Sequence, residues 1–122
     1  MAFFIEMKKI NRVRKNQDFQ KIISQKKSVA DDVFVIYFAR NELNRMRIGV
    51  SVSKKMGNAV ERNLYKRQLR QMLYELVDLS CPCDLVVIIR KKFTVQKYEE
   101  NKKDLLHMLK KIKMIDVTRK EE

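Results

Sequence analysis

Residues 53–70 read SKKMGNAVERNLYKRQLR, and the remainder of the chain is arranged around how this stretch folds. Gly57 and Asn58 interrupt a preceding alternating pattern, and from Ala59 onward the apolar residues recur at helical spacing. Tyr65, Leu69, Met72, Leu73 and Leu76 fall in one stripe, which predicts a helix from 59 to about 77 that buries this face. Beside the stripe Arg62, Lys66 and Arg70 stand at successive i, i+4 positions, flanked by Asn63, Arg67 and Tyr74. Glu61, Gln68, Gln71 and Glu75 occupy a third, neutral to acidic flank. Lys54 and Lys55 precede the helix, and Glu61 is the single acid in the stretch. Charges segregated in this way create a local potential suited to phosphate, whereas a merely solvated basic face is the competing reading.

Immediately before this stretch Met46, Ile48, Val50 and Val52 alternate with Arg47, Gly49, Ser51 and Ser53, the pattern of a strand with one apolar face. Residues 33–40 alternate Phe34, Ile36 and Phe38 against Val35, Tyr37 and Ala39, a second strand, with a turn at 41–44. These two strands are expected to form an antiparallel hairpin. A further short strand around 30–33, or one longer first strand, both remain open. Downstream, residues 84–91 (DLVVIIRK) form an almost unbroken β-branched run, as in a central strand covered on both faces. Strand, helix and strand in that order predict a parallel pair across the basic helix, and right-handed crossover is the general rule.

Farther out, Asn16 is read as an N-cap with Asp18 in the first turn, and Phe19, Ile22 and Ile23 give a short helix from about 17 to 25 packed on the sheet. Tyr98, Leu105, Leu106, Leu109 and Ile112 predict an amphipathic last helix from about 95 to 113. Residues 7–15 read as a basic, irregular arm; 1–7 and 116–122 are expected to be loosely ordered. The fold class is therefore α+β. Residues 1–122 make a single domain, a two-layer sandwich of one mostly antiparallel sheet with three helices and a β-α-β crossover carrying the basic helix.

At 122 residues the chain holds one core, and 28 Lys plus Arg against 15 Asp plus Glu give a net charge of +13, more than solubility requires. Nucleic acid is the favoured polyanion over membrane, because no segment approaches the roughly 18 to 20 apolar residues of a spanning helix. The opening Met1 to Ile5 is soon interrupted by Glu6, Lys8 and Lys9, too short for a signal h-region, so a cytoplasmic location is expected. Cys81 and Cys83 straddle Pro82 and, with His107 far away, fall short of a four-ligand zinc site; they read as turn residues in a reducing compartment. His107 reads as structural or surface. No catalytic residue and no metal ligand is assigned.

The run SVSKKMGNAVERNLYKRQLR closely resembles the signature of the bacterial ribonuclease P protein component, in which Lys-Lys-x-Gly-Asn-Ala-Val leads into Arg-Asn-Arg-x-x-Lys-Arg-x-x-Arg. The resemblance extends from 8 to about 111. It implies a left-handed crossover and a role in a tRNA-processing ribonucleoprotein whose catalyst is an RNA subunit that binds magnesium and removes the 5′ leader of precursor tRNA. By the same resemblance Lys54, Lys55, Asn58, Arg62, Asn63, Lys66, Arg67 and Arg70 face the catalytic RNA. Phe19 and Tyr37 align with family aromatics that contact the single-stranded leader, for which stacking and backbone charge suit varied sequences; Lys54, Arg90 and Lys91, near strand ends, are expected to supply that charge. Plain core packing is the alternative for both aromatics. The partners expected are the RNA subunit and precursor tRNA, with no membrane and no obligate protein partner. Two positions depart from the pattern. Leu64 replaces the third residue of Arg-Asn-Arg, and Ile23 stands where the family often has a second aromatic. A ribosome- or translation-associated RNA-binding protein, or a duplex DNA regulator inserting the basic helix in a major groove, would share the charge pattern.

Overall fold

The structure, a computed structural model, describes residues 11–120. The expectation of a loosely ordered 1–7 lies outside them. The basic stretch does form a helix, α2 (Ala59–Leu76). Asn58 caps it: its side-chain oxygen accepts from the Glu61 N–H at 2.9 Å while Glu61 Oε1 accepts from the Asn58 N–H at 3.0 Å. Gly57 sits at φ 149° directly under this box, where a Cβ would lie 2.8 Å from the Glu61 carboxylate, so both conformation and space call for glycine. Leu69, Met72 and Leu73 of the predicted stripe are sealed in the core.

The sheet holds β1 (Ser28–Ala30), β2 (Phe34–Arg40), β3 (Arg47–Ser51) and β4 (Cys83–Ile89) in the order β1-β2-β4-β3. β4 runs antiparallel to β2 and parallel to β3. The β2–β3 hairpin expected from the sequence is therefore not formed, because β4 inserts between its two strands. The reason is burial: Cys83 to Val87 are all buried, so the strand with two apolar faces takes the centre and the amphipathic β3 goes to the edge. The 41–46 connection bridges over β4's entry, with Asn41 N–H donating to Pro82 O at 3.0 Å and Met46 N–H to Leu79 O at 2.8 Å. The antiparallel hairpin is instead β1–β2, turned by Asp31, whose carboxylate accepts from the Val33 and Phe34 N–H groups at 2.8 Å each.

Helix α1 (Asn16–Ser24) packs on one face of the sheet; α2 and α3 (Tyr98–Lys110) cover the other. The α+β class holds, with α1 adding a partial third layer. The large core joins Phe34, Ile36, Leu85, Val87, Leu69, Leu105 and Phe93; the Phe93 ring, from a 3-10 segment Lys91–Val95, meets Phe34 and Tyr65 edge-on at 5.7 and 5.8 Å. The cap of α1 is Lys15, not Asn16: the Lys15 carbonyl already accepts from Asp18 and Phe19, and no side chain caps the helix.

The tail does not fray from Asp116. Val117 is fully buried, Thr118 bridges Val77, and Arg119 N–H donates to Leu76 O at 2.8 Å. The Arg119 guanidinium also lies 5.4 Å from the Tyr74 ring and donates to the Tyr74 carbonyl. The last carbonyls of α2 need donors and one valine in a charged tail needs cover, and docking satisfies both.

Candidate nucleic-acid interface

Because β3 and β4 are parallel, their C-terminal ends share one edge of the sheet, and whatever follows each strand converges there. Lys54 and Lys55 follow β3 in a one-turn 3-10 helix, Lys54–Met56, whose start is fixed by Ser53 Oγ accepting from the Lys55 N–H at 3.2 Å. Arg90 and Lys91 follow β4. Arg90 is steadied by donating to the Asp31 carbonyl at 3.3 Å, and all four cations are exposed. The N-terminus of α2 begins at this same edge.

Along α2, Asn63 and Arg67 are exposed while Arg62, Lys66 and Arg70 are half-buried beside the core stripe. Among the described residues no carboxylate pairs with any of these cations, whereas Arg47, Lys102 and Lys120 each meet one. Glu61 is occupied with its cap, and Glu75 meets Lys102 on the far flank, which holds its carboxyl below the usual range. Arg62 Nε is out of contact with solvent and has no hydrogen-bond partner. Burial lowers the pKa of Arg70, and the positive charge of Arg12 adds to the effect. Asn58 spends its carbonyl oxygen on the helix cap, which leaves its amide N–H groups to donate outward. Leu64, where the resemblance would have arginine, is 48 % exposed, and Val60 one turn earlier is 78 % exposed, so the departure lies on the surface of this flank.

On the opposite face of the sheet, Phe19 and Ile23 of α1 pack with Tyr37 and Ile88 around buried Val13, Ile22 and Val86. The register puts Tyr37, Val86 and Gly49 in one row and Val35, Ile88 and Ser51 in the next. The Phe19 ring lies so close on Gly49 that a Cβ there would come within 2.5 Å of it. Phe19, Ile23, Tyr37 and Ile88 are each only partly covered, so an apolar surface stays open beside α1 and leads toward the row nearest Lys54 and Arg90.

What holds α1 over this surface was not singled out in the sequence. Arg47 donates to Asp84 through Nε at 2.9 Å and through Nη2 at 2.7 Å, and its Nη1 lies 3.5 Å from Asp18. Asn41 donates to the same Asp84 at 2.7 Å. The hydrogen bond to Asp84 raises the pKa of Arg47 against the opposing cost of burial. Asp84, with 5 % exposure, is thus fully committed. An acid opening an otherwise apolar strand, as in DLVVIIRK, was the available signal for a buried ion pair. Gly49 carried no signal beyond being a glycine in a strand, and Arg12 was only part of a basic arm.

Among the described residues no group of three or more His, Cys, Asp or Glu side chains could hold a metal ion, and no helix is long and apolar enough to cross a membrane. Cys81 and Cys83 are free, buried thiols; burial pushes Cys83 up to about 12.

Comparison with known proteins agrees along most of the chain. A family model described as Ribonuclease P matches residues 7–113. The ribonuclease P protein component of Bacillus cereus is 46% identical over 109 residues, 88% of this chain and 92% of that protein. Its counterpart from Streptococcus agalactiae is 45% identical over 104 residues, 85% of this chain and 95% of that protein. Among solved structures, the RNase P protein of Staphylococcus aureus superposes with a TM-score of 0.75 at 37% identity, covering 84% of this chain and 95% of that one. That of Thermotoga maritima gives 0.74 at 31% identity, covering 84% and 97%.

Proposed function

Since this chain belongs to the bacterial ribonuclease P protein family and so to a tRNA-processing ribonucleoprotein, we propose that it serves as the RNA-binding subunit, joining the ribonuclease P RNA through α2 and the 5′ leader of precursor tRNA through the α1 face. The observation that carries this reading is the absence of any carboxylate partner for the cations of α2 among the described residues. Lys54, Lys55, Arg62, Lys66, Arg67 and Arg70, with Asn58 and Asn63 as neutral donors, form a surface whose charge is left for phosphate. Lys54 stands where this surface meets the second one. There Phe19 and Tyr37 offer partly open rings, and Arg90 and Lys91 offer charge at the same sheet edge. A strand lying across the rings would be held by stacking and by its backbone, without regard to sequence.

In this reading the protein contributes binding and positioning. Among the described residues Asp84, Glu75, Asp116 and Glu61 are engaged with Arg47, Lys102, Lys120 and the α2 cap, and no group of three or more His, Cys, Asp or Glu side chains could hold a metal ion. Magnesium is assigned to the RNA subunit, whose phosphates the protein's cations help to fold together, and the complex works in the cytoplasm.

Reconstitution tests the reading directly. The protein is mixed with purified ribonuclease P RNA and a leader-bearing precursor tRNA, and cleavage to the mature 5′ end is followed at limiting magnesium. Cleavage well above that of RNA alone is expected. No stimulation, with binding instead to ribosomal RNA, would replace this function by the translation-associated one.

A further inference from the structure

We propose that the C-terminal tail is itself an RNA-binding element, in which Arg119, seated on Tyr74, reaches the backbone of the ribonuclease P RNA. The tail lies beyond residues 7–113, the span matched by the family model. The proposal rests on the reading of α2 as the face for that RNA and adds a second element to it.

Main-chain bonds place the tail. Arg40 donates to Met114 O at 2.8 Å, and Val117 is fully buried, its carbonyl accepting from the Asp78 N–H at 2.9 Å. Thr118 forms an antiparallel bridge with Val77, and the Arg119 N–H donates to Leu76 O at 2.8 Å. Residue 119 is therefore delivered to the last turn of α2 by its backbone, whatever its side chain does. The side chain then turns back along the helix. Its Nη2 donates to the Tyr74 carbonyl at 2.8 Å, and the guanidinium carbon stands over the Tyr74 ring, 5.4 Å from the centre. A ring and a carbonyl together hold one planar cation in a fixed place.

Tyr74 gives that place its meaning. It stands four residues beyond Arg70, so Arg62, Lys66, Arg70 and Tyr74 form one row along α2. At the fourth position the helix supplies a neutral ring, and the tail lays a cation on it. Of the two cations at the end of the tail, Lys120 is engaged by Asp116 at 3.1 Å. Arg119 is exposed, and among the described residues no carboxylate forms an ion pair with it. Glu75, whose carboxyl feels the charge of Arg119, is already held by Lys102 and by the Gln71 amide. The guanidinium donors not committed to Tyr74 match the oxygens of a phosphate. The competing account is that Arg119 only completes the C-terminal end of α2. Its main-chain N–H already does so at Leu76, which leaves the exposed charge unexplained.

The test uses the full chain as wild type, Arg119→Ala, Tyr74→Leu, the double variant, and Arg67→Ala as a reference on α2 itself. Each is titrated with ribonuclease P RNA from about 50 to 200 mM salt, and each free protein is melted. Arg119→Ala is expected to weaken binding and flatten the log–log salt slope by roughly 0.7 to 0.9, so that its deficit shrinks about threefold across that range. Tyr74→Leu should show part of the same loss, and the double variant no more than Arg119→Ala alone, because the ring acts through the guanidinium. An unchanged slope for Arg119→Ala overturns the proposal, whether affinity falls in step with the melting temperature, as for a structural anchor, or falls alone, as for a base contact. Additive losses in the double variant overturn the seat on Tyr74. If Arg67→Ala flattens the slope while Arg119→Ala does not, RNA binding by α2 stands without the tail. If Arg67→Ala is silent, the reading of α2 falls and the proposal falls with it.

Discussion

Arginine appears in two opposite situations on the two sides of this sheet. On the α1 side, Arg47 is gripped by Asp84, which Asn41 also holds, and by Asp18, and its charge is spent inside the protein. On α2, Arg62 and Arg70 are comparably drawn in but meet no carboxylate among the described residues. Burial alone therefore does not distinguish scaffold from site. The partner does: a cation whose acid partners are present completes the fold, and a cation drawn into the surface without one is completed by something else. Removing one member from each set should thus have opposite signatures.

The largest effect is expected at Arg47. Arg47→Ala leaves Asp84 nearly enclosed and unpaired, which should cost about 3 kcal/mol, the low end for a broken buried pair because Arg47 itself keeps some exposure. Urea denaturation checks this, and RNA affinity measured under folded conditions should fall only as far as the fold does. Arg67→Ala combined with Arg70→Ala should do the reverse. The urea midpoint should stay near wild type, while assembly with the ribonuclease P RNA weakens and its salt slope flattens by about one phosphate per lost cation. Equal destabilisation by the two variants would dissolve the distinction.

This contrast also explains what the sequence displayed and what it hid. Helical periodicity and segregated charge made α2, its cap at Asn58 and its basic flank readable, because these are local properties of one stretch. β2, β3 and β4 were readable for the same reason, whereas the short strand considered around 30–33 falls at Ser28–Ala30, with 31–33 in the turn. Strand order was not: a six-residue connection after β2 closes a hairpin or steps across a strand with equal ease, and only the two-sided burial of β4 decides. The pairing of Asp84 with Arg47 joins residues 37 positions apart, beyond any local pattern. The docked tail was missed because its one buried residue, Val117, stands alone among charges.

An intermediate case is Phe19, which touches both categories: its ring is seated on Gly49, yet part of it stays open. If the open part stacks on a leader base, Phe19→Ala should remove on the order of 1 to 3 kcal/mol from precursor tRNA binding to the reconstituted complex and leave mature tRNA nearly unaffected. As pure scaffold it would instead cost about 3 to 5 kcal/mol of stability and depress both affinities together. A thermal melt of the free protein beside the two binding curves separates these outcomes.

The smallest effect sharpens the comparison from the acid side. Asp116 is fully exposed, yet the Thr118 side chain and backbone N–H, with Lys120, hold its carboxyl down at about 2. A carboxyl whose folded pKa lies below its ordinary 3.8 stabilises the fold fully above that value and loses the contribution as pH falls toward 2. Asp116→Asn should therefore melt slightly below wild type at neutral pH, with the two curves converging as pH approaches 2. The α2 cations have no such acid partner among the described residues, so Arg67→Ala should show a difference from wild type that is flat across the same window. A pH-dependent difference at Arg67 would reveal a carboxylate paired with it in solution, and with it the loss of the feature that marks α2 as the RNA face.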